Sequence, residues 1–238
     1  MKKWETFREF ISYANKHCDW LILRNFEYLP DDFFGNDKDV DILCLDLEHF
    51  VSTMGLVKRS WGVGAYKGII QEKEVDFDIR FLGDGYYDKL WQSRMLKNKQ
   101  FTVSDVPRMS IEDYFYSLIW HAKLQKTLVK DIYVTRLHEL AREINLNDYQ
   151  PENIYNDQYI ATLLSDFCLK HYYRYETPFD SEIPLNMNVY IHLDDRVTGL
   201  AYKHKKNLIS RLVNFIPNWL LKPIPKATKN KLKNLIGL

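Results

Sequence analysis

The chain has 238 residues, of which 46% are hydrophobic and 27% charged, and its formal net charge is +1. This length is enough for one compact domain or two small ones. No stretch approaches the roughly 18 uncharged apolar residues of a membrane-spanning helix, and charged residues interrupt every apolar run near the start, which argues against a secretory signal. Three widely separated cysteines without a C-x-x-C pair argue against disulfides and a zinc site, and fit a reducing cytoplasm.

The first predicted elements alternate between helix and strand. Apolar residues at helical spacing predict an amphipathic helix over Lys3–Lys16, and Trp20–Arg24 (WLILR) is typical of a short buried strand. A polar segment containing proline precedes the second apolar run, Val40–Leu45. Asp46 can then cap a helix that continues through Met54.

The next region has the pattern of a β-hairpin. Its arms are Gly64–Ile70 and Val75–Phe81, and the polar sequence QEKE lies between them. Apolar and polar residues alternate along the second arm, so that one face is apolar while Asp76, Asp78 and Arg80 lie on the other. The pattern therefore places two more carboxylates on the polar face of a strand.

Beyond about residue 100 the period becomes helical. Ser110–Asp113 has the pattern of a capping box, Tyr114–Gln125 continues it as a helix, and Asp131–Ile144 and Asp157–Tyr173 give two further helices. We place the boundary near Val106–Pro107. The prediction is an α/β domain, a helical domain and a tail, at residues 1–106, 107–196 and 197–238 respectively.

The main candidate for chemistry is the stretch GNDKDVDIL, in which Asp37, Asp39 and Asp41 occupy alternate positions. Carboxylates two residues apart on a strand share a face and repel one another, so something must compensate. One interpretation is a polar turn before a buried strand; the other is a pair of carboxylates that binds a divalent metal. Asp76 or Asp78 on the later strand would complete such a cluster. Mg²⁺ prefers a few carboxylates together with water and phosphate oxygens, and phosphoryl transfer needs it to neutralise the phosphates.

These motifs resemble the nucleotidyltransferase superfamily of DNA polymerase β type. The segments LILRNFEYLP, GNDKDVDIL, DIRFLGDGYYDKLW and EDYFYSLIWHAKLQK are similar to small bacterial members associated with surface-polysaccharide synthesis, and the resemblance covers roughly residues 20 to 145. It implies an α+β fold, with a mixed β-sheet, flanking helices and a helical C-terminal half. It also implies that Asp39 and Asp41 bind Mg²⁺, or Mn²⁺ in its place. Asp78 would be the third ligand and the general base, with Asp76 as the alternative.

The resemblance has one clear departure. The superfamily usually has Gly-Ser at the end of its first strand to bind phosphate, whereas this chain has Arg24-Asn25. Arg24 could replace that contact with a charge-assisted bond to phosphate, or the site could bind a different donor or none. Lys123, Lys126 and Lys130 are candidates for binding the phosphate tail, and His121 is either a packing residue or a substrate contact.

The function implied is a metal-dependent transfer of a nucleotidyl or phospho-alcohol group to a hydroxyl of a sugar or glycan. The expected partners are a nucleotide or nucleotide-linked donor and a sugar or glycan acceptor. Two alternatives stay open. One is an antibiotic-modifying adenylyltransferase, which shares this order of carboxylates, and the other is a non-catalytic binding module with the same fold.

The C-terminal stretch differs from the rest of the chain in charge. Residues 197–238 contain nine Lys or Arg and no acid, so residues 1–196 carry −8. Leu208, Leu212, Phe215 and Trp219 add an apolar face, which favours docking on an anionic membrane from the cytoplasmic side. The alternative is a terminal helix packed on the body. Nucleic acid is not an expected partner, because no basic groove with stacking aromatics precedes the tail.

Overall fold

The computed structural model describes residues 2–36, 39–59, 62–126 and 128–199. Within them the protein is α+β, as predicted, and it has two compact units. The first unit extends beyond the boundary predicted near residue 106. It comprises the described residues up to Leu118, together with Glu139–Leu146 and Glu176–Glu182. The second comprises, among the described residues, Ile119–His138, Asn147–Tyr175 and 183–199.

The described residues form one mixed sheet of eight strands, in the first unit. The strands are β1 Lys3–Trp4, β2 Trp20–Ile22, β3 Asp39–Cys44, β4 Val57–Lys58, β5 Ala65–Ile70, β6 Lys73–Phe81, β7 Gln100–Phe101 and β8 Pro107–Arg108. Their order is β1-β5-β6-β3-β2-β8-β7, and β4 also pairs with β5. The two predicted apolar strands are confirmed as β2 and β3, and the predicted hairpin as β5 and β6.

Nine α-helices are found in the described ranges. They are α1 Phe7–His17, α2 Phe33–Asn36, α3 Leu47–Met54, α4 Lys89–Lys97, α5 Ile111–Ile119, α6 Asp131–Glu143, α7 Asp157–His171, α8 Met187–Tyr190 and α9 Asp195–Thr198. The predicted helix over Lys3–Lys16 is wrong at its start, because Lys3 and Trp4 pair with β5 as a strand. The helix begins after Thr6, whose hydroxyl accepts a hydrogen bond from Glu9 N–H at 3.1 Å.

The apolar face of the sheet is covered by α1 and α3. Phe10 of α1 stacks on Phe77 of β6, with 5.4 Å between ring centroids, and Phe50 of α3 lies 5.7 Å from Trp20 of β2. All four side chains are buried. This packing fixes which residues of β3 and β6 point away from the helices, because successive side chains on a strand alternate between faces.

The opposite face carries the carboxylates of β3 and β6 in two rows. The two strands are parallel and in register, so that Asp39 lies opposite Asp76, and Asp41 lies opposite Asp78. We call Asp39 and Asp76 the outer row, and Asp41 and Asp78 the inner row. The strand that carries the D-x-D motif is therefore the direct neighbour of the hairpin strand, and all four carboxylates share one face of the sheet.

The second unit is helical in its described residues. The predicted helix over Asp157–Tyr173 is confirmed as α7, and Leu164 and Phe167 are among its buried residues. Trp120 begins a π-helical turn, Trp120–Leu124, that follows α5, and its ring stacks on Tyr175 at 6.1 Å. In the part of the chain that the structure describes, no helix has both the length and the hydropathy to cross a bilayer.

Candidate functional site

A cavity of about 160 Å³ lies beside the outer row in the first unit. Its charged lining comprises five carboxylates and two guanidinium groups, so the formal charge of the lining is negative. These side chains are Asp39, Asp76 and Asp78 from the strands, Asp180 and Glu182 from the segment 176–182, and Arg59 and Arg80. Such a volume accommodates ions, waters and a phosphate group, and is below the roughly 300–1,000 Å³ of pockets that enclose a drug-sized ligand.

Two arginines pair with the carboxylates that line this cavity. Arg59 forms an ion pair with Asp76 of the outer row, and their side chains are 46% and 36% exposed. Arg80 Nη2 lies 2.8 Å from Asp78, and Arg80 Nη1 lies 3.2 Å from Asp180. Burial would lower the pKa of Arg80, but the charge and hydrogen bond of Asp78, with contributions from Tyr86 and Asp84, together outweigh it and raise that pKa. Within the described residues, the Nε–H of Arg80 has no hydrogen-bond acceptor.

The remaining strand carboxylate, Asp41, belongs to a buried ion pair. Arg24 donates to it through Nε at 3.0 Å and through Nη2, while Arg24 Nη1 donates to the Tyr86 hydroxyl at 3.4 Å. The side chains of Arg24 and Asp41 are only 5% and 11% exposed. Burial would lower the pKa of Arg24, but Asp41, Tyr86 and Tyr87 together outweigh it and hold that pKa well above its ordinary value. Arg24 and Asp41 therefore form a closed, two-point ion pair that is shielded from solvent.

Tyr86 lies between the two buried arginines because of the turn Gly83–Tyr87. Asp84 accepts hydrogen bonds from the backbone N–H of Tyr86 at 2.9 Å and from Gln92 Nε2 at 2.7 Å. Burial raises the pKa of the Asp84 carboxyl. The guanidinium of Arg80 stands 4.5 Å from the centre of the Tyr86 ring, within cation–π range. The turn thus keeps the aromatic ring in contact with the arginine that lines the cavity.

The segment 176–182 also reaches this turn, although it lies about a hundred residues further along the chain. Gly85 has a φ of +74°, and a Cβ there would lie 2.4 Å from the carbonyl oxygen of Thr177, so only glycine allows the contact. Phe179 N–H donates to a carbonyl oxygen of the turn at 2.8 Å. These contacts bring Asp180 to Arg80. Sequence reasoning missed Asp180, because nothing local to its segment indicates that distant partner.

The other predicted site residues lie elsewhere. His121, Lys123 and Lys126 belong to the second unit, where Lys123 Nζ forms a 2.6 Å ion pair with Asp157. Asn25 belongs to the first unit and has a φ of 56°, directly before a short 3₁₀ turn. Their predicted contacts with substrate stay predictions. Asp37, the first aspartate of the alternating stretch, lies outside the described residues.

The comparisons with known proteins are negative. Neither a protein-family model, nor a curated protein, nor a solved structure matches this chain. The resemblance to nucleotidyltransferases thus stays a prediction, which rests on the motifs quoted above and on the order of the elements.

The chemistry of the donors at this site fits a divalent cation. Carboxylate oxygens are the ligands that Mg²⁺ prefers. The outer row supplies two carboxylate groups, one from each of two neighbouring strands. In the described ranges, however, no three His, Cys, Asp or Glu side chains already converge as a metal-binding group. Binding through Asp76 would also require Arg59 to leave its carboxylate. The site therefore fits a cation held by few protein ligands and completed by water and phosphate oxygens.

Proposed function

We propose that the first unit is a metal-dependent transferase that moves a nucleotidyl or phospho-alcohol group to a hydroxyl of a sugar or glycan. The observation that carries this proposal is the parallel, in-register pairing of β3 and β6. It brings four carboxylates onto one face, beside a cavity that two arginines also line. Carboxylates suit the metal, and guanidinium groups suit the phosphate oxygens.

The groups at this site would have different roles in such a reaction. Bound Mg²⁺ would neutralise charge on the phosphates as the leaving group departs. Asp78, which is part-exposed and is held by Arg80, would take the proton from the acceptor hydroxyl. Arg80 and Arg59 line the same cavity and can donate to phosphate oxygens once a cation satisfies the carboxylates.

A second candidate function is a binding module without catalysis. It is favoured by one observation: Asp41, Asp76 and Asp78 are each already paired with an arginine. If none of these pairs opens, the site has no ligand set for a metal. The module would then be expected to bind neither metal nor nucleotide at this cavity.

A thermal-shift panel separates the two candidates. Nucleoside triphosphates and CDP-linked alcohols are tested with Mg²⁺, since a ligand at 100 times its Kd stabilises the folded state by about 2.7 kcal/mol. The transferase predicts a Mg²⁺-dependent shift that Asp39→Asn removes. Asp31→Asn is the matched control, because Asp31 forms an exposed pair with Arg8 and does not line the cavity. No shift with any ligand would favour the binding module.

Turnover then tests the proposed general base. A positioned base typically contributes about 10²–10⁴-fold, so Asp78→Ala should lower the rate by that order while nucleotide still binds. The control is Asp31→Ala, at an exposed pair that does not line the cavity. If Asp78→Ala keeps its turnover, and Asp76→Ala loses turnover while it still binds Mg²⁺ and nucleotide, Asp76 is the base instead.

For the location of the protein, we propose the cytoplasm, with the tail on the inner face of the membrane. The tail lies outside the described residues, and the support is its sequence: polybasic segments gain about 1 kcal/mol per Lys or Arg near an anionic surface. The whole chain should co-sediment with anionic but not neutral liposomes. Replacing Lys203, Lys205 and Lys206 by Gln should reduce the fraction that co-sediments with anionic liposomes. Equal co-sedimentation of the wild type and the variant would instead favour a tail that packs on the body.

A further inference from the structure

The arginine pairs on the polar face of the sheet differ in how easily they open. Arg24 and Asp41 are almost fully buried, and the guanidinium directs three nitrogens at Asp41 and Tyr86. Arg59 and Asp76 form their pair at the surface, where both side chains are well exposed. The carboxylates of the outer and inner rows are therefore not equivalent, although the sequence spaces them alike.

The cost of freeing each carboxylate follows from this burial. Water solvates both members of an exposed pair, so separating Arg59 from Asp76 loses little. Separating Arg24 from Asp41 would leave two charges in a site that excludes water, and this is strongly unfavourable. A metal ion that competed for Asp41 would have to overcome that cost, whereas a metal ion that competed for Asp76 would not.

We infer that the metal ligands are Asp39 and Asp76, facing each other across β3 and β6, and that Asp41 instead serves as the structural partner of Arg24. This inference rests on the proposed function and replaces the second carboxylate of the D-x-D motif by one from the neighbouring strand. Parallel strands lie about 4.8 Å apart, so directly opposed side chains can bind one ion. Two carboxylates, with waters and phosphate oxygens, match the preference of Mg²⁺.

Arg80 supplies an independent observation that points to an anionic ligand at the same place. Its buried side chain lines the cavity, and its Nε–H has no acceptor within the described residues. A buried donor without an acceptor is unfavourable, and a phosphate oxygen is the kind of acceptor that a guanidinium prefers. The outer row and Arg80 together fit a divalent cation chelated by a di- or triphosphate group.

The test is Mn²⁺ binding by the full chain, measured by electron paramagnetic resonance with and without inorganic pyrophosphate. Asp39→Asn and Asp76→Asn should each weaken Mn²⁺ binding by at least about tenfold, since even outer-shell changes at metal sites cost about 10–100-fold. Asp41→Asn should leave the affinity of the folded protein within about threefold of wild type, because on this assignment it touches no ligand.

A second variant covers the case in which Asp41→Asn does not fold. The double variant Arg24→Met with Asp41→Leu removes both buried charges together, a change that folded proteins often tolerate. It should bind Mn²⁺ as the wild type does. Loss of Mn²⁺ binding in a folded double variant, with Asp76→Asn unaffected, would overturn the assignment while leaving the proposed function standing.

Pyrophosphate tests the anionic half of the inference. It should raise the apparent Mn²⁺ affinity of the wild type, and Arg80→Lys, which keeps the charge but loses the planar fork, should lose most of that gain. An undiminished gain in Arg80→Lys would overturn the role of Arg80. If the wild type bound no Mn²⁺ under either condition, both this inference and the proposed function would fail.

Discussion

Two arginine–aspartate pairs lie on the same face of the sheet, but we assign different roles to their aspartates. The Arg24–Asp41 pair is buried beneath the turn that carries Tyr86, whereas the Arg59–Asp76 pair is open to solvent at the cavity. Both aspartates lie on paired strands and have the same kind of partner. On the proposed assignment, this difference in burial separates a carboxylate that stabilises the fold from one that can bind a ligand.

The largest loss of stability should come from removing one member of the buried pair. Asp41→Ala leaves the guanidinium of Arg24 buried and unpaired, and we expect a loss of about 3–5 kcal/mol in the free energy of unfolding. Urea denaturation at neutral pH measures it. A loss below about 1 kcal/mol would mean that water reaches Arg24 and that the pair is not closed.

Removing both members of the buried pair should be much less destabilising. In Arg24→Met with Asp41→Leu no charge is left without a partner, and similar replacements elsewhere are often neutral or stabilising. We expect the double variant to recover more than half of the loss caused by Asp41→Ala. A double-mutant cycle in urea gives the coupling energy. Additive single and double losses would show that the two side chains do not interact.

Removing the Tyr86 hydroxyl, which contacts Arg24 of the buried pair, should have a smaller effect on stability. Its hydroxyl accepts from a charged donor, Arg24, at 3.4 Å, whereas the Tyr87 hydroxyl donates to a neutral carbonyl, that of Ser117, at the same distance. Hydrogen bonds to charged groups are worth more, so Tyr86→Phe should cost about 1.5 kcal/mol and Tyr87→Phe about 0.5 kcal/mol. Thermal or urea unfolding compares them. The reverse order would argue against the contact with Arg24.

The smallest effect on stability is expected at the exposed pair. Asp76→Ala should change the free energy of unfolding by about 0–1 kcal/mol, and added salt should reduce even that. Asp31→Ala, at the exposed pair with Arg8, is the matched control and should behave alike. A loss at Asp76 as large as that of Asp41→Ala would remove the contrast on which the metal assignment depends.

Much of this sheet is predictable from the sequence. The alternation of polar and apolar residues in the hairpin places Asp76 and Asp78 on one face, and the D-x-D motif lies at the start of a run that is confirmed as a strand. The resemblance predicts that these strands lie close together, and the structure makes them direct neighbours. Local periodicity is enough here, because the side-chain period of a strand decides which residues share a face.

The partners of the carboxylates are not predictable in the same way. Arg24 meets Asp41 only because β2 and β3 pair in antiparallel register, and Asp180 reaches Arg80 across about a hundred residues of chain. The short β1 was missed because helical periodicity extends over Lys3 and Trp4, while their pairing with β5 is a tertiary effect. Long-range packing thus determines which charges are buried, and with that the role of each one.

The most direct test of the central claim is an anomalous difference map from crystals of the full chain soaked with Mn²⁺ and pyrophosphate. The account predicts a peak within coordination distance, about 2.0–2.6 Å, of carboxylate oxygens of both Asp39 and Asp76, with the Arg24–Asp41 pair intact. A peak bound by Asp41 with Arg24 displaced, or no peak beside β3 and β6 at saturating Mn²⁺, would contradict it.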